Sequence, residues 1–198
     1  MAQLEFLFDF GSPNAYFAWK AMQTMEAFQK ADIKLSPVLL GGIFKSTNNQ
    51  PPMLAFGDVP AKMKYLGIEM ERFQKRTGIT GFQFNPNFPV NTLMLMRGCY
   101  VALEDGNLDA YMAAGFKHMW EKGSKMDDKD VFAAAFDAAG LDGQHILERS
   151  QDPAIKKALM DATQSAVDRG VFGIPSFFIG DELYFGKETL WEMAEALG

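Results

Sequence analysis

From residue 4 the chain reads Leu-Glu-Phe-Leu-Phe-Asp-Phe, an aromatic-rich apolar run broken only at Glu5 and Asp9. That pattern predicts a strand, and Gly11 ends it. Ser12 and Pro13 then suit a helix N-cap and first turn, because the hydroxyl accepts from an unpaired backbone N–H and proline has none to lose. Phe17, Ala21, Met25 and Phe28 recur at helical spacing, predicting a helix to about Lys30. Ile33 to Leu40 reads as a second strand. Strand, helix and strand in immediate succession make a βαβ unit whose two strands run parallel in a buried sheet.

The pattern then changes. Gly41 to Asp58 is rich in Gly, Asn and Pro and predicts a loop. Helix-length segments begin near Ala61, Asn91, Leu108, Asp128 and Pro153, and the last carries Ile155, Leu159, Ala162 and Ala166 on one face. Such helices need partners, so a separate helical layer is expected. After Gly170 the strand signal returns in Ser176–Ile179 and Glu182–Phe185, joined by Gly180-Asp181 as in a type II′ hairpin. A final amphipathic helix carries Leu190, Met193, Ala194 and Leu197. The expected class is α/β: one sheet made of βαβ and ββα halves, interrupted by an all-helical insertion. Residues 1–44 and 170–198 form the sheet domain in this reading, and 45–169 the insertion.

Composition narrows the partners. The 198 residues are 48% hydrophobic, enough for a substantial core. Net charge is −6 and no Lys/Arg run exceeds two, which argues against nucleic-acid binding, since phosphates call for a basic patch. A single cysteine, Cys99, excludes an intramolecular disulfide and a cysteine-based metal cluster. Met1 to Phe10 mixes Gln3, Glu5 and Asp9 with apolar residues, unlike a secretory signal, and no window reaches the roughly 18 apolar residues of a membrane span. A soluble, cytoplasmic protein is expected. The 13 methionines and 18 phenylalanines suit core gap-filling first, and an adaptable apolar pocket second.

Ser12 is the first candidate for chemistry. At a strand-to-helix junction its hydroxyl lies beyond the carboxyl end of the sheet, where open α/β sheets hold ligands. The helix start adds positive partial charge and free N–H groups that favour an anion such as a thiolate. A plain helix cap is the other reading of the same residue. Phe172-Gly173-Ile174-Pro175-Ser176 is the second candidate: a proline entering a strand belongs at its first position, and a cis Ile174–Pro175 bond would present the Ile174 backbone to a short peptide. An ordinary trans proline is the alternative. Cys99 falls on an apolar helix as a buried thiol. His118 and His145 have no metal-ligand spacing, and Asp127-Asp128 reads as a helix cap. No Gly-x-Ser-x-Gly elbow is present.

The βαβ start, helical insertion and proline-led ββα ending resemble the thioredoxin fold as elaborated in the disulfide oxidoreductase A type. Those enzymes carry Cys-Pro-x-Cys where this chain has Ser12-Pro13-Asn14-Ala15, so dithiol chemistry is excluded there. The serine version is similar to kappa-class glutathione transferases and to bacterial 2-hydroxychromene-2-carboxylate isomerases. Several stretches resemble the isomerases: Phe8-Asp9-Phe10-Gly11-Ser12-Pro13-Asn14-Ala15-Tyr16, Gly42-Ile43-Phe44-Lys45, and Asn85-Pro86-Asn87-Phe88-Pro89-Val90-Asn91-Thr92-Leu93. Gly170-Val171-Phe172-Gly173-Ile174-Pro175-Ser176-Phe177-Phe178 and Phe185-Gly186-Lys187-Glu188 complete the set.

The resemblance implies a thioredoxin-like sheet, glutathione as cofactor, a small aromatic substrate and a homodimer. By the same resemblance Ser12 holds the glutathione sulfur as thiolate, and the Ile174 backbone pairs with the glutathione cysteine. Phe185, Lys187 and Glu188 lie where the γ-glutamyl end is bound, with Glu188 standing in place of the expected aspartate. Lys45, Asn49 and Asn85 face the second substrate, Lys45 as partner for its carboxylate. The implied reaction is cis–trans isomerisation by reversible thiolate addition; a transferase or peroxidase, or a glutathione-binding protein without turnover, are the alternatives.

Overall fold

A computed structural model describes residues 3–198; the readings that begin at Met1 and Ala2 extend outside the described residues. Strand β1 (Gln3–Phe8) leads into α1 (Pro13–Met22), a short α2 (Glu26–Gln29) and β2 (Asp32–Pro37). β1 and β2 are parallel, from Gln3 opposite Asp32 to Phe8 opposite Pro37. At the other end of the chain, β3 (Ser176–Ile179) pairs antiparallel with β1, and β4 (Glu182–Phe185) antiparallel with β3. The order β2-β1-β3-β4 unites the βαβ and ββα halves in one four-stranded sheet. Gly180 takes φ +61°, the left-handed value that the tight hairpin turn requires and that glycine adopts without steric cost.

Between β2 and β3 lie α3 (Leu40–Thr47), α4 (Pro52–Ala55), α5 (Pro60–Thr77), α6 (Leu93–Glu104), α7 (Leu108–Trp120), α8 (Lys129–Asp137), α9 (Gly143–Arg149) and α10 (Pro153–Asp168). A 3₁₀ turn over Lys187–Thr189 precedes α11 (Leu190–Leu197). Among the described residues no helix is long and apolar enough to cross a membrane.

Four expectations need correcting. The helix expected to run to Lys30 stops at Met22, because both the backbone N–H and the hydroxyl of Thr24 turn back onto the Ala21 carbonyl, at 3.0 Å each. The second strand ends at Pro37, not Leu40. The expected loop from Gly41 to Asp58 contains α3 and α4: Leu40 and Ile43 do share a helix face, and α3 begins where the Asp9 carboxylate accepts from Leu40 N–H at 2.7 Å. A boundary between residues 44 and 45 therefore passes through a helix. α9 was not expected; Asp142 caps it by accepting from His145 N–H at 2.8 Å.

The helical block shares one core with the sheet. Phe6, Phe8, Phe10 and Phe177 of the sheet region belong to one buried cluster with Tyr111, Phe116, Trp120 and Phe136 of the helical block. Burying each such ring contributes on the order of 1.5–3 kcal/mol. The Phe10 and Phe116 rings meet edge to face at 4.9 Å. Gly115 makes this approach possible, since a Cβ there would lie 2.5 Å from the Phe10 ring. Trp120 Nε1–H donates to the Phe10 carbonyl at 2.8 Å. Helix α7 thus fixes the backbone two residues before Ser12.

Candidate functional site

Ser12 is the N-cap of α1, as its sequence position predicts. Its Oγ accepts from Ala15 N–H at 3.2 Å, and its hydroxyl donates across the fold to the Ile174 carbonyl at 3.0 Å. Only 5% of Ser12 is exposed. The hydroxyl therefore stands between the amino end of α1 and the loop that enters β3, two segments 162 residues apart in the chain. The Ile174–Pro175 bond is cis, as is Phe88–Pro89. The Ile174 carbonyl is occupied by Ser12, while among the described residues no acceptor pairs with its N–H. That leaves one backbone donor beside Ser12 for a peptide-like ligand.

Asp9 supports this junction from below. Its carboxylate is fully buried; Oδ1 accepts from Gly11 N–H at 2.8 Å and Oδ2 from Leu40 N–H at 2.7 Å. Burial pushes the carboxyl above its ordinary range, against the hydrogen bonds from Gly11, Leu40 and Thr92. One side chain thereby ties the turn before Ser12 to the start of α3. Its role was not read from sequence, where Asp9 figured only as a polar break in a strand.

The remaining expected residues fall into three groups. Phe185 lies beside the cis-proline loop, its ring 4.5 Å from that of Phe172; they are 43% and 42% exposed, an uncommon state for two paired phenylalanines. Gly173 leaves room for that ring, since a Cβ there would come within 2.8 Å of it. Asn49, just past the end of α3, joins the same corner: its Nδ2–H donates to the Phe172 carbonyl at 2.8 Å. Lys45 is exposed in the last turn of α3.

Asn85 belongs elsewhere. It is buried, its Nδ2 group donates to the carbonyls of Met119 and Ser124 at 3.0 and 2.9 Å, and its Oδ1 accepts from Asn87. Its amide is committed to pinning its own loop to the end of α7 and the turn beyond it, leaving no free group for a substrate. This corrects the expectation that it faces the second substrate.

Lys187 and Glu188 also differ from the simple picture of a helix start, since α11 begins only at Leu190. Lys187 is 1% exposed; its Nζ donates to Glu69 at 2.6 Å and to the Glu188 carboxylate. Burial, together with the neighbouring Glu188, raises the Glu69 carboxyl against the pull of Lys187. For Glu188 burial acts upward too, but the hydrogen bonds with Glu69 and Lys187 prevail and lower it. Gly186 N–H donates to the Pro175 carbonyl at 2.9 Å, joining this charged group to the cis-proline loop and so to Ser12. Glu69, on α5, was missed: no local pattern distinguishes it from the other acids of that helix.

Chemically, the corner offers a hydroxyl at a helix N-terminus, a free backbone N–H, two exposed aromatic rings and a partly exposed acidic pair. Such a set can engage a small polar ligand through its backbone and charged groups beside an apolar surface.

Known proteins resemble the chain over nearly its whole length. It is 25% identical over 195 residues to the 2-hydroxychromene-2-carboxylate isomerase of Pseudomonas putida, covering 98% of this chain and 94% of that protein. Rattus norvegicus glutathione S-transferase kappa 1 is also 25% identical, over 208 residues, 98% of this chain and 90% of the transferase. A solved 2-hydroxychromene-2-carboxylate isomerase superposes with a TM-score of 0.85 at 25% identity, covering 99% of this chain and 94% of that one. The family model for the DSBA-like thioredoxin domain matches residues 3–198. This chain belongs to the family of DsbA-like thioredoxin domains.

Proposed function

We propose that the protein is a glutathione-dependent cis–trans isomerase acting on an aromatic substrate of the 2-hydroxychromene-2-carboxylate or hydroxybenzylidenepyruvate type. The observation that carries the reading is the Ser12 hydroxyl, capping α1 and facing the Ile174 carbonyl beside two exposed phenylalanines. Relatives named as isomerases and as kappa transferases support it.

In this reading the hydroxyl turns from the Ile174 carbonyl to the ligand sulfur, and the amino end of α1 stabilises the thiolate. The Ile174 N–H pairs with the cysteine backbone, and Glu188 receives the γ-glutamyl ammonium. The thiolate adds to the conjugated double bond, whose electron pair moves to the carbonyl as an enolate. Rotation about the new single bond follows; the enolate then expels the thiolate, and glutathione is regenerated. No electron or proton is consumed overall. Phe185 borders the γ-glutamyl end, Phe172 flanks the aromatic ring, and Lys45 and Asn49 attract the substrate carboxylate. A reducing, cytoplasmic setting and a homodimer complete the proposal.

The equal identity to a kappa transferase supports a second reading, in which glutathione remains in the product. Calorimetry of glutathione binding to wild type and Ser12→Ala at several pH values tests the core claim. Wild type should bind with proton release that the variant lacks. Isomerised hydroxybenzylidenepyruvate with unchanged glutathione then supports the isomerase, whereas a conjugate or oxidised glutathione supports the transferase or peroxidase. Binding without turnover points to a non-catalytic protein, and failure to bind overturns the proposal.

A further inference from the structure

Arg97 stands out among the charged side chains because nothing in the chain answers it. It is partly buried in the second turn of α6, and its Nε is sealed from solvent with no acceptor. Among the described residues its guanidinium makes no hydrogen bond and no ion pair. A charged donor left unmet in this way is costly, and the usual remedy is an acceptor from outside the chain. Arg97 also lines a cavity of about 280 Å³ together with Asn91, Leu93, Met94 and Asp127. Leu93 and Met94 lie four and three residues before it, so all three share one helix face. Helical side chains lean toward the amino end, which carries the guanidinium back over the first turn of α6.

The backbone there has the same polarity. Thr92 is the N-cap residue, yet its side chain does not cap the helix and bonds to Asp9 instead. No acid stands in the first turn, and Asn91 Oδ1 accepts only from Leu93 N–H, at 3.0 Å. Among the described residues the N–H groups of Met94 and Leu95 have no partner. The opposing charge in the cavity is the exposed Asp127 carboxylate, which accepts weakly from Asn91 N–H at 3.4 Å.

We propose that this cavity is a second ligand site, for a small molecule that carries a carboxylate on an apolar body. The carboxylate pairs with the planar fork of Arg97 within the field of the α6 amino end, and the apolar body lies on Leu93 and Met94. Asp127 opposes the ligand's charge and moderates its affinity. None of the lining residues belongs to the Ser12 corner, so the site is independent of the glutathione reading.

The experiment titrates the full chain with benzoate, with benzyl alcohol as the neutral analogue and with inorganic phosphate, following backbone amide shifts by NMR. Benzoate should shift the amides of Leu93, Met94 and Leu95 saturably below about 10 mM, and benzyl alcohol should bind at least about tenfold more weakly. Arg97→Gln should weaken benzoate about tenfold or more. Asp127→Asn, an exposed change that leaves the guanidinium in place, should tighten it about twofold to fivefold, the scale of one surface charge. Opposite effects of two variants in one cavity are not expected from a general loss of folding. Equal binding of benzoate and benzyl alcohol, or an affinity that Arg97→Gln leaves unchanged, overturns the proposal. So does phosphate binding as tightly as benzoate, which would make the cavity a site for inorganic oxyanions, and so does the lack of any saturable shift at α6.

Discussion

Replacing Asp9 by Ala removes the acceptor shared by Gly11 N–H and Leu40 N–H, at 2.8 and 2.7 Å. Both residues are partly exposed, so each stranded donor should cost near the low end of the usual range, about 1–1.5 kcal/mol. The sum, about 2–3 kcal/mol, corresponds to a fall in Tm of roughly 8 °C for a chain of this size. Asp9→Asn is the informative contrast. Burial already pushes this carboxyl upward, so its charge is not what stabilises the fold; the number of acceptors is. An asparagine keeps one acceptor and removes the buried charge, and should cost less than about 1 kcal/mol at neutral pH. The pH dependence has a definite sign. A raised carboxyl binds its proton more tightly folded than unfolded, so it favours folding in acid and loses that contribution as pH rises through the folded value. The gap between wild type and Asp9→Asn should therefore widen as pH falls. Urea titration with an unchanged m-value gives these differences, and amide exchange at Gly11 and Leu40 locates them. If Asp9→Asn proves as damaging as Asp9→Ala, charge and not acceptor count holds the junction, and the reasoning is wrong.

Glu5 provides the opposite sign. Burial acts to raise its carboxyl, but hydrogen bonds from Ser36, Arg169 and Lys34 outweigh it and lower it. Its contribution is present above the ordinary glutamate range and lost as pH falls through the folded value, so Glu5→Gln should cost about 1–2 kcal/mol at neutral pH and progressively less in acid, by urea titration; a pH-independent difference would contradict this. Cys99 is buried, and burial, with Asp9 nearby, raises its thiol well above the usual range. Iodoacetamide should modify it at least about a thousandfold more slowly in native protein than in urea; equal rates would show that the thiol is accessible in the native fold.

The local features were legible from the sequence because their causes are local. Ser12 capping α1, Asp128 capping α8 and the Gly180 hairpin each depend on neighbours within a few residues. Helix-length segments without strand signal likewise revealed α5 through α8, apolar spacing revealed α10, and the paired strand signals at each end of the chain announced one sheet. The exclusion of dithiol chemistry needed only the absence of cysteine at residues 12 and 15.

Tertiary structure decided what depended on partners far along the chain. Helix α3 hid behind Gly41 and Gly42 because its first N–H is held by Asp9, 31 residues earlier. The Asn85 amide looked available until the fold brought Met119 and Ser124 to it. Glu69 resembled any surface acid of α5 until Lys187, 118 residues away, arrived beneath it. The Ser12 hydroxyl meets Ile174 only because β1 and β3 lie side by side. Periodicity and capping record a residue's immediate neighbours; the environment that sets its burial, charge and hydrogen-bond partners exists only once distant segments have packed.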